Sequence, residues 1–169
     1  IEVAIQNGQA VGVHSKLIKV SDHLIGQLTK IENSDGNYIT VSVDAGSSQT
    51  YNSTHGLPNG AKLYGKVIEN IHRLVTARNE HNAKLDISAN YLVTLSNSSN
   101  EEAENAIRDL TEAGVDSIRF SFPQIPRGFQ STQGTIIPTR KDVRSIYNRL
   151  RPLMQSYSGN KASVVLLDV

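Results

Sequence analysis

The stretch that decides the fold is Tyr38-Ile39-Thr40-Val41-Ser42-Val43, since it is rich in the β-branched residues that favour a strand. A turn at Asp44-Ala45-Gly46-Ser47-Ser48 follows and leads to a short helical start. Between Ala61 and Arg78, apolar residues recur three and four positions apart and define one face of a helix. A strand followed by such helices predicts one β/α repeat.

The chain on either side predicts further repeats of this kind. Upstream, Ile1–Ile5 is interpreted as a first strand that Asn7-Gly8 ends, and a helix with a break near Val20 follows from about Ser15 to Ile31. Downstream, the predicted elements are a strand in 85–95, a helix capped by Asn100 and ended by Gly114, a strand in 115–122, a long loop to Pro138, a helix capped by Thr139 that Pro152 bends or shortens, and a strand in 163–169.

The order β-α-β-α-β-α-β-α-β predicts an α/β fold with a parallel sheet. The chain of 169 residues, 38% of them hydrophobic, suits a single domain over 1–169. Five strands do not close a barrel, so the sheet is either an open doubly wound sandwich or a partial (β/α) TIM-type barrel. We favour the partial barrel, and we expect its first repeats to lie upstream, with those repeats or another chain completing it.

Composition narrows the possible functions. The 17 basic and 16 acidic residues are mixed along the chain and give a net charge of +1, which argues against general nucleic-acid binding. No apolar run is long enough to cross a membrane and no signal sequence opens the chain, so we predict a cytoplasmic protein that does not bind membranes. The chain has no cysteine, and its five histidines lack the spacing of a zinc site, so it predicts no metal site of its own.

Polar residues gather where the predicted strands end. Because the carboxyl ends of parallel strands meet at one edge of a sheet, these residues should surround a single cavity. They suit a polar small molecule with hydroxyl groups and a carboxylate. The candidate binding residues are Gln6, Asn7, Ser42, Asp44, Thr94, Asn97, Arg119 and Ser121.

The segment Val41–Asn52, together with His55-Gly56, resembles the fourth strand of radical S-adenosylmethionine (radical SAM) enzymes. That family has S-x-D-[AG] at the strand end and then [EQ]-T-Y-x-x-x-[HR]-G. Three further segments are similar to neighbouring repeats of the family: Asn7-Gly8, Tyr91–Thr94 with Asn97, and Gly114–Phe120. The chain departs from the family in having neither C-x-x-x-C-x-x-C nor the G-G-E-P-like strand end, and it has Gln6 where Thr is usual.

The resemblance implies a function that the chain would share with missing upstream repeats. In the family, a [4Fe–4S] cluster cleaves SAM to a 5′-deoxyadenosyl radical that takes a hydrogen atom from a small-molecule or peptide substrate. Ser42 and Asp44 would approach the ribose or the methionine carboxylate of SAM. Thr94 and Asn97 would border the adenosine, and Arg119 and Ser121 would face the adenine or the substrate. The resemblance does not identify that substrate.

Other interpretations stay open. Ser42 and Asp44 are also common as strand-end and capping residues, Thr94 and Asn97 as strand and turn residues, and Arg119 as a surface ion-pair partner. The chain could be a non-catalytic (β/α) binding or assembly module. A Schiff-base aldolase is disfavoured, because the predicted strands carry no lysine at their carboxyl ends. Arg127, in the long loop, is a further candidate for binding an anionic substrate.

Overall fold

The structure is a computed structural model, and it describes residues 1–31, 36–124, 136–157, 159 and 161–167. Arg127 and the predicted end of the last strand at 168–169 therefore lie outside the described residues. The elements are, in chain order, α1 (Glu2–Gln6), β1 (Gly12–Ser15), α2 (Asp22–Leu28), β2 (Tyr38–Ser42), α3 (Ser48–Thr54), α4 (Leu63–Glu80), β3 (Asp86–Leu92), α5 (Asn100–Ala113), β4 (Ser117–Ser121), α6 (Arg140–Ser156) and β5 (Ser163–Leu166). None of the described helices is both long and apolar enough to cross a membrane.

The five strands form one sheet in the order β1-β2-β3-β4-β5, and all four pairs are parallel. The predicted α/β fold is thus confirmed. A doubly wound sandwich requires the strand order to reverse at a switch point, and this order never reverses. Since crossovers in parallel sheets are right-handed, strands that always advance in one direction put their connecting helices on one face. This is the winding of a (β/α) barrel.

The two faces of the sheet differ in burial, as that winding requires. One face carries apolar side chains that are fully buried in the three central strands, among them Ile39, Val41, Ile87, Tyr91 and Phe120. The opposite face carries none that is buried; its side chains are half-buried or exposed in all five strands. We call this second face the open face.

The helices cover the buried face of the sheet. On α4, the side chains of Val67, Ile71 and Leu74 have no exposed surface, and on α5 the same holds for Ile107 and Leu110. These residues recur at the three- and four-residue spacing that the sequence shows, and they join the strands in a single hydrophobic core. The helix predicted over Ala61–Arg78 is confirmed as α4, shifted by two residues.

The first predicted strand is wrong. Residues 1–5 do not pair with the sheet; Glu2–Gln6 is helix α1, with Ile5 packed against the core. The first strand is instead Gly12–Ser15, which pairs with Tyr38–Val41. A short apolar run does not by itself distinguish a strand from a helix, and here the tertiary contacts decide.

Most other boundaries fall close to their predicted positions. The predicted helix 15–31 begins later, at Asp22, because Ser21 caps it at the expected break. Ser99 rather than Asn100 caps α5, while Gly114 has the predicted left-handed conformation, with φ 89°. Thr139 caps α6 as predicted, but Pro152 lies inside this helix and does not end it.

Candidate functional site

The open face is built from transverse rows of polar side chains. Strand register places Ser42, Asn90 and Arg119 opposite one another on three adjacent strands, and residues in register point to the same side. The row below consists of His14, Thr40, Ser88 and Ser117. Adjacent strands are about 4.8 Å apart, so the upper row spans about 10 Å from Ser42 to Arg119.

The side chains of the upper row have no partners among the described residues. Neither the Ser42 hydroxyl, the Asn90 amide nor the Arg119 guanidinium makes a hydrogen bond or an ion pair there, and the same is true of the Ser121 hydroxyl. In the row below, by contrast, the hydroxyl groups of Thr40 and Ser88 bond to each other at 2.9 Å. The upper row is therefore free to bond to a ligand.

Asp44 lies beyond the end of β2 in an unusual backbone conformation. Its φ of 54° is in the left-handed region, which a residue other than glycine adopts only when its surroundings compensate. Its Oδ1 accepts a hydrogen bond of 2.7 Å from the backbone N–H of Leu92, which fixes the carboxylate against the end of β3. Burial raises the pKa of Asp44, and the hydrogen bond from Leu92 and the charges of His55 and Lys16 oppose this rise.

Thr94 and Asn97 lie at the same rim as predicted, but their side chains are used within the protein. The Asn97 amide donates to the backbone oxygens of Asp44, at 2.8 Å, and Leu92, at 2.9 Å, and its Oδ1 accepts from the backbone N–H of Thr94 at 2.7 Å. Both residues are buried, with 6% of Thr94 and 1% of Asn97 exposed. Asn97 thus ties the ends of β2 and β3 together.

Glu102 of α5 fixes the turn that follows Asp44. Its two carboxylate oxygens accept hydrogen bonds of 2.7 Å from the backbone N–H of Gly46 and from the Ser47 hydroxyl. Position 46 must be glycine, because a Cβ there would lie 2.0 Å from the backbone oxygen of Glu102. These bonds join the N-terminus of α5 to the turn, and so they fix the position of Asp44 from its C-terminal side.

A second polar group adjoins Asp44. Lys16 directly follows β1, and its Nζ is 2.8 Å from Nδ1 of His55. The His55 ring packs edge-on against Tyr51 with ring centroids 4.4 Å apart. The Tyr51 hydroxyl and Nε2 of His55 are buried and have no hydrogen-bond partner among the described residues. Burial lowers the pKa of His55, so near neutral pH the ring is uncharged and its Nδ1 can accept a hydrogen bond from the Lys16 ammonium.

The sequence misplaced three residues of this region. Gln6 and Asn7 do not follow a strand; Gln6 ends α1, Asn7 caps this helix, and both precede β1 in the chain. Lys16 is the opposite case, since it does lie at the carboxyl end of a strand. The reason for disfavouring a Schiff-base aldolase is therefore wrong, although Lys16 is exposed.

Sequence reasoning also missed Asn90. The period-two alternation of β3 places it beside Ser42, and that signal is readable in the sequence, but a strand predicted over 85–95 has its polar end at Thr94, beyond Asn90. As for metals, no group of three His, Asp or Glu side chains in the described part of the chain could hold an ion. The chain also has no thiolate to offer.

The winding of the sheet and the polar open face define the class of protein: an α/β protein with the fold of part of a (β/α) barrel. No protein-family model matches the sequence, and no curated protein matches it. Solved structures do match.

The crystal structure of Streptococcus suis SuiB matches with a TM-score of 0.62 at 12% identity, over 98% of this chain and 34% of that chain. SuiB bound to S-adenosylmethionine matches with a TM-score of 0.60 at 13% identity, over 98% and 34%. SuiB bound to the precursor peptide SuiA matches with a TM-score of 0.63 at 13% identity, over 98% and 33%. These neighbours are radical SAM (β/α) barrels. The likeness concerns the fold, and the chain spans about a third of the SuiB chains.

Proposed function

We propose that this chain is the SAM-binding part of a radical SAM enzyme, and that SAM lies on the open face at the carboxyl ends of β2 and β3. The observation that carries the proposal is that Ser42 and Asn90, which have no partner among the described residues, lie beside the fixed carboxylate of Asp44. The resemblance of the Val41–Asn52 segment to the family and the fold likeness to SuiB, one structure of which is bound to SAM, support it independently.

The groups present fit a nucleoside. A ribose offers two hydroxyl groups, each able to donate to a carboxylate and to accept from a hydroxyl or an amide. Asp44 supplies the carboxylate, and Ser42 and Asn90 supply the other two partners within about 5 Å of each other on neighbouring strands. Thr94 and Asn97 contribute indirectly, because Asn97 holds the two strand ends at a fixed distance.

The residues of this chain do not fit a [4Fe–4S] cluster. Such clusters are held by cysteine thiolates, and the chain has none. When SAM and a cluster are bound together in such enzymes, they supply a radical that takes a hydrogen atom from the substrate. We assign to this chain only the binding and orientation of SAM, and to the complete polypeptide the ligands of the cluster.

Binding of SAM to single variants tests the proposal, measured by isothermal titration calorimetry. We expect Ser42→Ala and Asn90→Ala each to weaken SAM binding several-fold, since each removes one hydrogen bond to the ligand. The matched controls are Ser145→Ala and Asn148→Ala, because both residues are exposed on α6. Equal loss in the controls, or no loss in Ser42→Ala and Asn90→Ala, contradicts the proposed site.

An assay of the complete natural polypeptide then distinguishes an enzyme from a non-catalytic binding module. After anaerobic reconstitution with iron and sulfide, a radical SAM enzyme should turn brown and, on reduction, cleave SAM. A polypeptide that binds SAM through the open face and does neither supports the module. Failure to bind SAM at all excludes both forms of the proposal.

A further inference from the structure

The open face has two chemically different halves at its upper edge. The polar half consists of Ser42 on β2, Asn90 on β3 and Asp44 just beyond the end of β2. The cationic half consists of Arg119 and Ser121 on β4 with Val165 and Leu167 at β5. Arg119 and Val165 are register partners, and Ser121 and Leu167 follow them on the same side of the sheet.

The cationic half combines one free positive charge with exposed apolar surface. Arg119 has no ion pair or hydrogen bond with any residue that the structure describes. Val165 is 43% exposed and Leu167 is 40% exposed, so two aliphatic side chains flank the guanidinium on its β5 side. On its other side lie the amide of Asn90 and, two residues along β4, the hydroxyl of Ser121.

The ligand that Arg119, Ser121, Val165 and Leu167 match is a carboxylate carried by an apolar molecule. A guanidinium binds a carboxylate through two parallel N–H donors, and the hydroxyl of Ser121 can donate a third hydrogen bond. Aliphatic side chains beside the charge favour an apolar group next to the carboxylate. The Asp44 carboxylate lies in the polar half, two strands away, so it repels an anion there and directs it towards Arg119.

We propose that Arg119 and Ser121 bind the carboxylate of a second ligand, and that this ligand is a substrate with an apolar group next to its carboxylate. The assignment of this ligand as the substrate rests on the proposed function, in which SAM occupies the polar half. The carboxylate subsite itself rests only on the cationic half.

Two pairs of probes test the inference by titration calorimetry. The first pair is phenylbutyrate and its neutral amide, phenylbutyramide. The acid should bind about tenfold more tightly than the amide, Arg119→Gln should remove this difference, and Arg144→Gln should keep it, since Arg144 is an exposed residue of α6 without a described partner. Equal binding of acid and amide to the unchanged protein, or an intact preference in Arg119→Gln, overturns the inference.

The second pair is methylthioadenosine, which is the nucleoside part of SAM without a carboxylate, and SAM itself. Arg119→Gln should leave the affinity for both unchanged. If it weakens SAM binding tenfold and spares methylthioadenosine, the guanidinium holds the carboxylate of SAM and the substrate assignment is overturned. If methylthioadenosine does not bind to the unchanged protein while phenylbutyrate binding depends on Arg119, the subsite stands and the proposed nucleoside site fails.

Discussion

Replacing Gly46 by alanine tests how closely the turn after β2 packs against α5. The added Cβ would lie 2.0 Å from the backbone oxygen of Glu102, 2.8 Å from its carbonyl carbon and 2.9 Å from the backbone nitrogen of Ala106. These are backbone atoms of one helical hydrogen bond, so no side-chain rotation relieves the contact. Either α5 or the turn must move by about 1 Å to reach the shortest distances that Cβ atoms show.

The expected cost is large for a single methyl group. Overpacking of a filled site usually costs about 1 to 3 kcal/mol. We expect the upper end, about 3 kcal/mol, because a shift of the turn also strains the bonds from Gly46 and Ser47 to Glu102. For a chain of this size the melting temperature should fall by roughly 6 to 12 °C.

Urea unfolding followed by circular dichroism measures this change, and Gly65→Ala is its control. Gly65 lies in α4 with nothing within 4 Å of the position where a Cβ would be. Alanine there should raise the free energy of unfolding by about 0.5 to 1 kcal/mol, because glycine disfavours the helix. The same chemical change is thus expected to have opposite signs at the two positions. A Gly46→Ala variant within about 0.5 kcal/mol of the unchanged protein would refute the close packing of the turn on α5.

Three further predictions concern individual side chains. Asn97→Ala should lower the free energy of unfolding in urea by about 3 kcal/mol, because three buried or part-buried backbone groups lose their partner; a loss below about 1 kcal/mol would contradict the role of Asn97 in joining the strand ends. Asp44→Asn should remove a pH dependence. The pKa of Asp44 is raised by burial, so its charge destabilises the fold above the folded-state pKa and this penalty disappears as the pH falls through the folded and then the unfolded pKa. The unchanged protein should therefore gain stability relative to Asp44→Asn as the pH is lowered. A difference in the free energy of unfolding between the two proteins that stays constant with pH would contradict this prediction. Tyr64→Phe should cost about 1 kcal/mol, since it removes the 2.8 Å bond from the Tyr64 hydroxyl to Asp109, whereas Tyr147→Phe, for which no such bond is described, should cost less than half as much in the same assay.

The candidate site was only partly predictable, and the individual residues show why. Ser42, Arg119 and Ser121 were identified because each lies in a strand whose alternation is clear in the sequence. Asn90 is missed because the predicted end of β3 lies too late, and Asn7 follows a helix because the five-residue apolar run before it is α1 and not a strand. An error in a strand boundary changes which residues occupy the rim, since the rim is defined by where each strand stops.

The structural roles of Asp44 and Asn97 depend on contacts distant in sequence. The sequence indicates a polar turn at Asp44, but its left-handed φ is stabilised by Leu92, Asn97 and the bond from Gly46 to Glu102. Likewise, nothing local shows that Asn97 bonds to Asp44, 53 positions away, instead of to a ligand. Hydrogen-bond partners of this kind are set only when strands and helices assemble.

By itself the sequence determined the α/β class, the helices α4, α5 and α6, and the four later strands, because hydrophobic periodicity and capping residues act within a few residues of one another. Only the tertiary structure decided where the first strand lies, that the sheet order never reverses, and that one face remains polar and open. Those features follow from which strands pair and which side the helices cover, and pairing energies between distant segments leave no local pattern in the chain.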